Sequence, residues 1–261
     1  MRIQSLERAI GILNLFRNTR NPLGISEMAA ILGLAKTTVH GLVSTLEKNG
    51  FLQKDMPTRK YRLGFALYEL SSIQMAHLEI NQRAAIPLQH LANKINRLCR
   101  VAIWNRYSII ATMAVWPQGH ESTIRQFGPR LPGYCTALGK AILANMSASE
   151  QKDYFDHTEL IAYTPNTITD RQVLEEDLIL TFEQGYSISR QEVLLHHVGL
   201  GAPILASDGR VAGAISARLN AEDQDTDFMT SAVDLLMQTA YQISLDMGYQ
   251  PVEMKHRLTQ R

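Results

Sequence analysis

Residues 25–64 read ISEMAAILGLAKTTVHGLVSTLEKNGFLQKDMPTRKYRLG, and the order of signals in this stretch decides the fold. A first helix is expected from Ser26, whose hydroxyl suits an N-cap, through Met28, Ala29, Ile31 and Leu32 to Gly33. Glycine at that end fits the left-handed backbone that commonly follows a helix. A second helix sets Val39, Leu42, Val43 and Leu46 at i, i+3, i+4 and i+7, one apolar stripe that needs a core. Its other face carries Thr37, Gly41, Ser44, Thr45 and Lys48, with Lys36, Thr38 and His40 near the N-terminal end. Asn49-Gly50 stops the helix. Phe51-Leu52-Gln53 and Tyr61-Arg62-Leu63 then read as two short strands around the breaker-rich residues 55–58.

Helix, tight turn, helix and basic hairpin are the parts of a winged helix-turn-helix, whose second helix lies in the DNA major groove. The candidate DNA contacts are Lys36, Thr37, Thr38, His40, Ser44, Thr45, Arg59 and Lys60, short polar or cationic groups able to reach base edges and phosphates. An ordinary helical subdomain with a solvated polar face shares the helix pair. It does not require Arg59, Lys60 and Arg62 at the hairpin, and these favour DNA.

Charge supports the division. Residues 1–80 hold ten Lys+Arg against six Asp+Glu, a net of +4, and the remainder holds 16 against 19, a net of −3. A positive head on a slightly acidic body fits a DNA-reading module attached to something else, and not a protein that coats nucleic acid over its whole surface. Cys99 and Cys135 are the two cysteines, with neither CxxC nor His spacing, so no disulfide scaffold, metal site or cofactor is expected. Without a bilayer-length apolar run or a signal-peptide pattern, a cytoplasmic protein with no membrane partner is expected.

Working outward, residues 5–16 form a helix with Leu6, Ile10, Leu13 and Phe16 on one face, which packs on the head or on a second copy of the chain. Residues 65–77 stay helical through Leu67, Leu70 and Ile73 and read as a linker helix. Pro87 suits the first turn of a further helix reaching Ile95. Residues 101–104 and 109–116 read as antiparallel strands, and residues 136–146 as a helix. Another helix begins at Thr169, where Thr169 and Gln172 have capping-box spacing, and ends at Gly185. Ser207-Asp208-Gly209 marks a hairpin between residues 198–206 and 210–219, and a last helix spans residues 227–247.

Strict alternation along the last strand puts Val211, Gly213, Ile215, Ala217 and Leu219 on one face and Ala212, Ala214, Ser216 and Arg218 on the other. Gly199 and Gly201 share a face of the partner strand, where a glycine marks close approach by a ligand or another backbone. Small residues with Ser216 and Arg218 suit a cavity for a small anion; the alternative for Arg218 is a solvent-facing strand end. His196 and His197 point to opposite sides of an extended chain, so at most one, here taken as His197, meets a ligand.

Several segments in the same order resemble the IclR family of bacterial transcriptional regulators: LGLAKTTVHGLVSTLEKNGF (32–51), YRLG (61–64), LPGYCTALGKAILA (131–144), GYSISRQE (185–192) and GLGAPILASDGRVAGAIS (199–216). The resemblance covers nearly the whole chain. It implies an α+β protein: a winged helix-turn-helix (1–64), a linker helix (65–81), a GAF-like α/β effector-binding domain (82–250) and a tail (251–261). It further implies regulation of catabolic genes, double-stranded operator DNA and a small-molecule effector as partners, and a homodimer or dimer of dimers. The implied effector pocket is lined by Gly133, Tyr134, Cys135, Thr136 and Ala137, by the stretch holding Ser189, and by the last hairpin. Four positions depart from the family pattern. Gly41 stands where a basic residue is usual, Ser189 where an acid is, Gly199 where Cys is, and Arg218 where a small residue is. The last three point to an effector of greater negative charge or different shape, probed by Ser189, His197, Gly199, Ser216 and Arg218.

Two rival readings fit the residues less well. Cys135 with His196 or His197 has the residue types of a nucleophile and base, which would make the chain a small-molecule-processing enzyme, but nothing orients a third group. Residues 133–140 have five residues between the glycines, and Ala141 stands where a phosphate loop needs Ser or Thr.

Overall fold

The computed structural model describes residues 2–17, 19, 21–119, 130–224 and 226–251. The chain falls into two compact units, Met1–His77 and Leu78–Arg261, each built around its own core. Apart from Pro251, the tail expected over residues 251–261 lies outside the described residues.

In the first unit α1 (Gln4–Leu15), α2 (Ile25–Leu32) and α3 (Lys36–Lys48) enclose Ile12, Phe16, Met28, Val39 and Val43. The chain axis turns by 117° between α2 and α3 across Gly33-Leu34-Ala35, within the range of helix-turn-helix pairs. Gly33 makes the turn at φ 63°. Strands β1 (Leu52–Lys54) and β2 (Tyr61–Leu63) pair antiparallel with Leu52 opposite Leu63. Tyr61 also bridges to Leu23.

One capping expectation for this unit is corrected. α2 starts one residue before Ser26, and the Gly24 N–H donates to the Glu27 carboxylate at 2.5 Å. Ser26 is therefore the second helical residue and not the cap, and the acid at the third holds the N-cap amide instead. Only the C-terminal part of α1 packs: Ile12 and Phe16 are buried, whereas Leu6 and Ile10 are 57% and 48% exposed. The small unit does not cover a twelve-residue helix along its whole length. α4 (Phe65–Ala76) follows and buries no residue. It is shorter than the expected 65–81, since residues 79–81 open the next helix.

The second unit begins with α5 (Glu79–Ile95). Its strands are β3 (Cys99–Asn105), β4 (Ser108–Val115), β5 (Arg130–Pro132), β6 (Ser187–Arg190), β7 (His197–Leu205) and β8 (Val211–Asn220). They form one antiparallel sheet in the order β5-β4-β3-β8-β7-β6. α5 and α9 (Asp227–Asp246) cover one face, burying Leu88, Leu91, Ile215, Leu219 and Leu236. α6 (Ala137–Leu143) covers the other face, with α7 (Ala148–Asp156) and α8 (Arg171–Gln184) behind it.

Pro87 is not in a first turn. It is the ninth residue of α5, where it removes the helical hydrogen bond to the Arg83 carbonyl. The helix continues because Ile80, Ala84, Leu88, Leu91 and Ile95 bury a stripe on the sheet, and packing outweighs propensity. α8 is capped by Asp170, which accepts from the Val173 N–H at 3.1 Å, in place of the expected pair Thr169 and Gln172. The Thr136 helix stops at Leu143, not Met146. Strict alternation in β8 fails at one point. The pairing skips Ala212, so Val211 joins the α6 side and Ala212 the α5–α9 side, the reverse of their expected faces.

Candidate functional site

On α3 the apolar stripe turns inward, which leaves Lys36, Thr37, His40, Ser44 and Thr45 exposed on the opposite face and Thr38 half-buried. The Thr45 hydroxyl donates to the Gly41 carbonyl at 3.0 Å, so its hydrogen is committed within the helix. In the hairpin, Asp55 accepts from the Thr58 amide and hydroxyl and closes the turn. Arg59 is exposed at φ 55°, and Lys60 pairs with Glu27 at 2.8 Å. Glu27 therefore caps α2 and ties the hairpin to it. Both side chains of that pair are about half exposed, so it contributes little stability on its own.

In the second unit a cavity of about 100 Å³ opens on the α6 face of the sheet, small beside the volumes that hold drug-sized ligands. Arg100 enters from β3, Ser216 and Arg218 from β8, His197 and Gly199 from β7, and Ser189 from β6. Thr136, Ala137 and Leu138 close it from the start of α6, and Leu131, Val193 and Leu194 add apolar wall. Arg218 lies over the Trp116 ring, 5.5 Å from its centroid. Burial first, and the Arg218 charge second, lower the pKa of Arg100. His197 is held below its usual value by burial, then by Arg218 and His196.

Glycines and serines set how closely α6 approaches. A Cβ on Gly201 would sit 2.4 Å from the Ala137 carbonyl oxygen, and one on Gly199 would meet the Ala137 Cβ at 3.1 Å. These glycines therefore admit another backbone. Ser187 Oγ donates to the Ala137 carbonyl at 2.6 Å and Ser189 Oγ to the Cys135 carbonyl at 2.7 Å, stapling residues 135–137 to β6. Thr136 caps α6, accepting from the Gly139 N–H and donating to the Pro132 carbonyl.

Behind the cavity Lys140 is completely buried. Its ammonium meets Glu192 at 2.6 Å and Asp177 at 2.9 Å. Burial raises the Glu192 pKa, Lys140 opposes that rise, and Asp177 adds to it. Glu192 opens the segment that carries Val193 and Leu194 to the cavity wall.

Gly133, Tyr134 and Cys135 do not line the cavity. Gly133 packs against Gly139, Trp104 and Tyr154, where a side chain would not fit. Tyr134 Oη donates to the Ile161 carbonyl and accepts from its amide. Cys135 is buried, and burial together with the Glu192 charge pushes its thiol up to about 12. A nucleophile needs the opposite shift. His197 lines the cavity and His196 is exposed, so the nucleophile–base pair is not assembled. Among the described residues no three metal-ligating side chains converge, and no single helix is long and apolar enough to cross a membrane.

Comparison with known proteins matches both units. Residues 73–245 match the family model for the bacterial transcriptional regulator IclR C-terminal domain, and residues 5–56 match the IclR helix-turn-helix domain. The chain belongs to the IclR family of bacterial transcriptional regulators. It is 27% identical over 247 residues to the HTH-type transcriptional regulator XynR of Escherichia coli, covering 95% of this chain and 98% of that one. An IclR transcriptional regulator from Alicyclobacillus acidocaldarius superposes with a TM-score of 0.82 at 25% identity, over 95% and 100% of the two chains. An IclR homologue from Microbacterium hydrocarbonoxydans, solved in complex with 4-hydroxybenzoate, has the same fold (TM-score 0.79, 22% identity, 93% and 98% covered).

Seven of the ten effector positions expected for this IclR regulator border one cavity: Thr136, Ala137, Ser189, His197, Gly199, Ser216 and Arg218. Sequence reading missed Arg100, Leu131, Leu138, Val193, Leu194 and Ala217. An arginine among the apolar residues that open the strand CRVAIWN is the available signal. Its place opposite Ser216 depends on a pairing between segments more than a hundred residues apart.

Proposed function

We propose that this IclR regulator reads double-stranded operator DNA with α3 and the hairpin, and that a small organic acid in the cavity changes that reading. The observation that carries the effector half is the convergence of Arg100, Arg218 and His197 on one small cavity with otherwise small or apolar walls. Half-buried cations on an apolar surface favour an anionic ligand. A protein of the same fold that holds 4-hydroxybenzoate, itself an acid, points the same way.

The DNA half rests on the exposed side chains of Lys36, Thr37, His40 and Ser44 and on Arg59, with Thr38 and Thr45 beside them and Lys60 shared with Glu27. Side chains that read bases each contribute about 1–3 kcal/mol of discrimination. A homodimer or dimer of dimers fits the apolar side chains left uncovered on α1 and α4, among them Leu6, Ile10, Phe65, Tyr68 and Ile73. The proposed working parts are residues 1–64 for DNA and 82–250 for the effector, with the helix after residue 64 carrying the signal. The setting is the cytoplasm, the targets are catabolic genes, and the action is binding without turnover.

The test begins with a duplex selected from random sequence by the intact protein. Fluorescence anisotropy should show that Thr38→Ala with Arg59→Ala weakens binding at least tenfold. A panel of organic acids should then include one that raises the melting temperature, is not consumed, and shifts duplex affinity about five- to 150-fold, the usual span of allosteric coupling. Unchanged duplex affinity in the double variant overturns the DNA assignment. Turnover of an acid that is lost in Cys135→Ala would establish the enzyme reading instead.

A further inference from the structure

The polar side chains that border the cavity are not equally free to meet a ligand. Thr136 already donates to the Pro132 carbonyl, and Ser189 to the Cys135 carbonyl. Arg218 lies over the Trp116 ring and has a further interaction of its own. His197 Nδ1 is sealed from solvent, which leaves one ring nitrogen at most for the cavity. Arg100 and Ser216 differ from these. Among the described residues, neither side chain has a hydrogen bond or an ion pair. They stand opposite one another across the β3–β8 pair, and both border the cavity. Directly opposed residues on one face bring their Cβ atoms to about 4.5–5.5 Å, so the guanidinium and the hydroxyl can donate to one shared acceptor. We propose that Arg100, assisted by Ser216, anchors the single carboxylate of a short effector whose remainder is apolar, and that the cavity selects such acids over polyhydroxylated acids and dicarboxylates of the same length.

This anchor rests on the organic-acid reading and narrows it to one chemical class. A half-buried guanidinium without an acid partner is unfavourable until an anion reaches it. Burial and then the Arg218 charge act on Arg100, and no carboxylate is among the groups that do. A ligand carboxylate can accept two parallel bonds from the guanidinium fork and a third from the serine hydroxyl. Beyond that end the wall is carbon, supplied by Leu131, Ala137, Leu138, Val193, Leu194 and Ala217. Hydroxyl groups pressed on such a wall lose their water and gain no partner, so an apolar body is favoured there. A second carboxylate would have to draw Arg218 away from the groups it already meets. The cavity volume of about 100 Å³ limits the body to a few carbons or a single ring.

The test is calorimetric titration of the intact protein with valerate, isovalerate and benzoate. Their neutral amides, together with ribonate and glutarate, serve as the competing probes. At least one apolar monoacid should bind about tenfold or more tightly than its own amide, the least expected of a hydrogen bond to a charged group. The same monoacid should exceed ribonate and glutarate by a similar factor. Arg100→Gln should bring the acid-to-amide ratio to within about threefold of unity, while Arg100→Lys, which keeps the charge, should retain a preference and controls for folding. Ser216→Ala should weaken the acid and leave the amide nearly unchanged. Acid and amide binding alike, tighter binding of ribonate or glutarate than of every apolar monoacid, or an acid-to-amide ratio that survives Arg100→Gln overturns the anchor alone. If no acid of any class binds, the organic-acid reading falls with it.

Discussion

Replacing Lys140 by methionine tests the interior most directly. The ammonium is fully buried and faces two carboxylates, Glu192 with a side chain 4% exposed and Asp177 with one 27% exposed. Methionine fills similar space but removes the positive charge. Asp177 still reaches solvent, whereas Glu192 is left buried and uncompensated. Breaking a buried ion pair from one side costs about 3–5 kcal/mol. With a urea m-value near 2 kcal/mol per molar, the unfolding midpoint should fall by about 2 M. Trp104 and Trp116 are the chain's two tryptophans, and both belong to the second unit, so their fluorescence reports its unfolding without interference from the first. Trp104 packs edge-on against Tyr154 at 5.3 Å, close to the affected cluster. The sign of the pH effect follows from Glu192. Its folded pKa lies above the unfolded value, so its contribution is present at low pH and is lost as pH rises through the folded value. Lys140 opposes that rise, and its removal pushes the value higher. The penalty should therefore be largest near neutral pH and shrink on acidification toward the ordinary carboxylate range. Lys140→Met combined with Glu192→Gln should recover most of the loss. A variant as stable as the parent at pH 7.5, or a penalty unchanged between pH 7.5 and 5, would refute the account.

Gly201→Ala should cost about 1–3 kcal/mol by overpacking, because its Cβ would meet the Ala137 and Ser187 oxygens within 2.6 Å; calorimetric melting of the second unit measures it. Gly41→Ala meets nothing within 4 Å on an exposed helix face and should stabilise the first unit by about 0.5–1 kcal/mol. An unchanged or lowered first transition would count against the helical assignment there. His197 is held below its usual pKa, so an anion beside it favours the imidazolium and binding takes up a proton. Affinity should rise as pH falls from 8 to 6, by at most about tenfold per unit. Calorimetry in buffers of different ionisation enthalpy detects that uptake, and His197→Gln should abolish it. Lys36→Ala should lower the salt dependence of duplex binding by about one unit of slope if the ammonium contacts phosphate; an unchanged slope excludes that contact.

Much of the first unit was legible because its determinants are local. The i, i+3, i+4 stripe of α3, the left-handed glycine after α2 and the breakers of the hairpin act within a few residues of themselves. Ser26 lost the cap position because the helix begins one residue earlier, with the Gly24 N–H held by the Glu27 carboxylate three residues on. Pro87 read as a helix start because the burial that sustains α5 through it lies on a sheet formed by later residues. α7 carries its capping box at Ser147 and Glu150, a signal confined to four consecutive residues. The cavity was partly legible through strand parity, which placed Ser216 and Arg218 correctly and failed at Val211 and Ala212 once the pairing skipped a residue.

By itself the amino-acid order determined the two-part plan, the reading head, and part of the set of side chains that borders the cavity. Periodicity, capping and turn chemistry are short-range, and charge can be counted without coordinates. Only the tertiary structure decided that Arg100 joins Arg218, that Lys140 is sealed between two carboxylates, and that Gly133, Tyr134 and Cys135 serve packing and not the cavity. Those relations depend on strand register and helix approach between segments tens to more than a hundred residues apart, and such distances are set by the closing of the core as a whole.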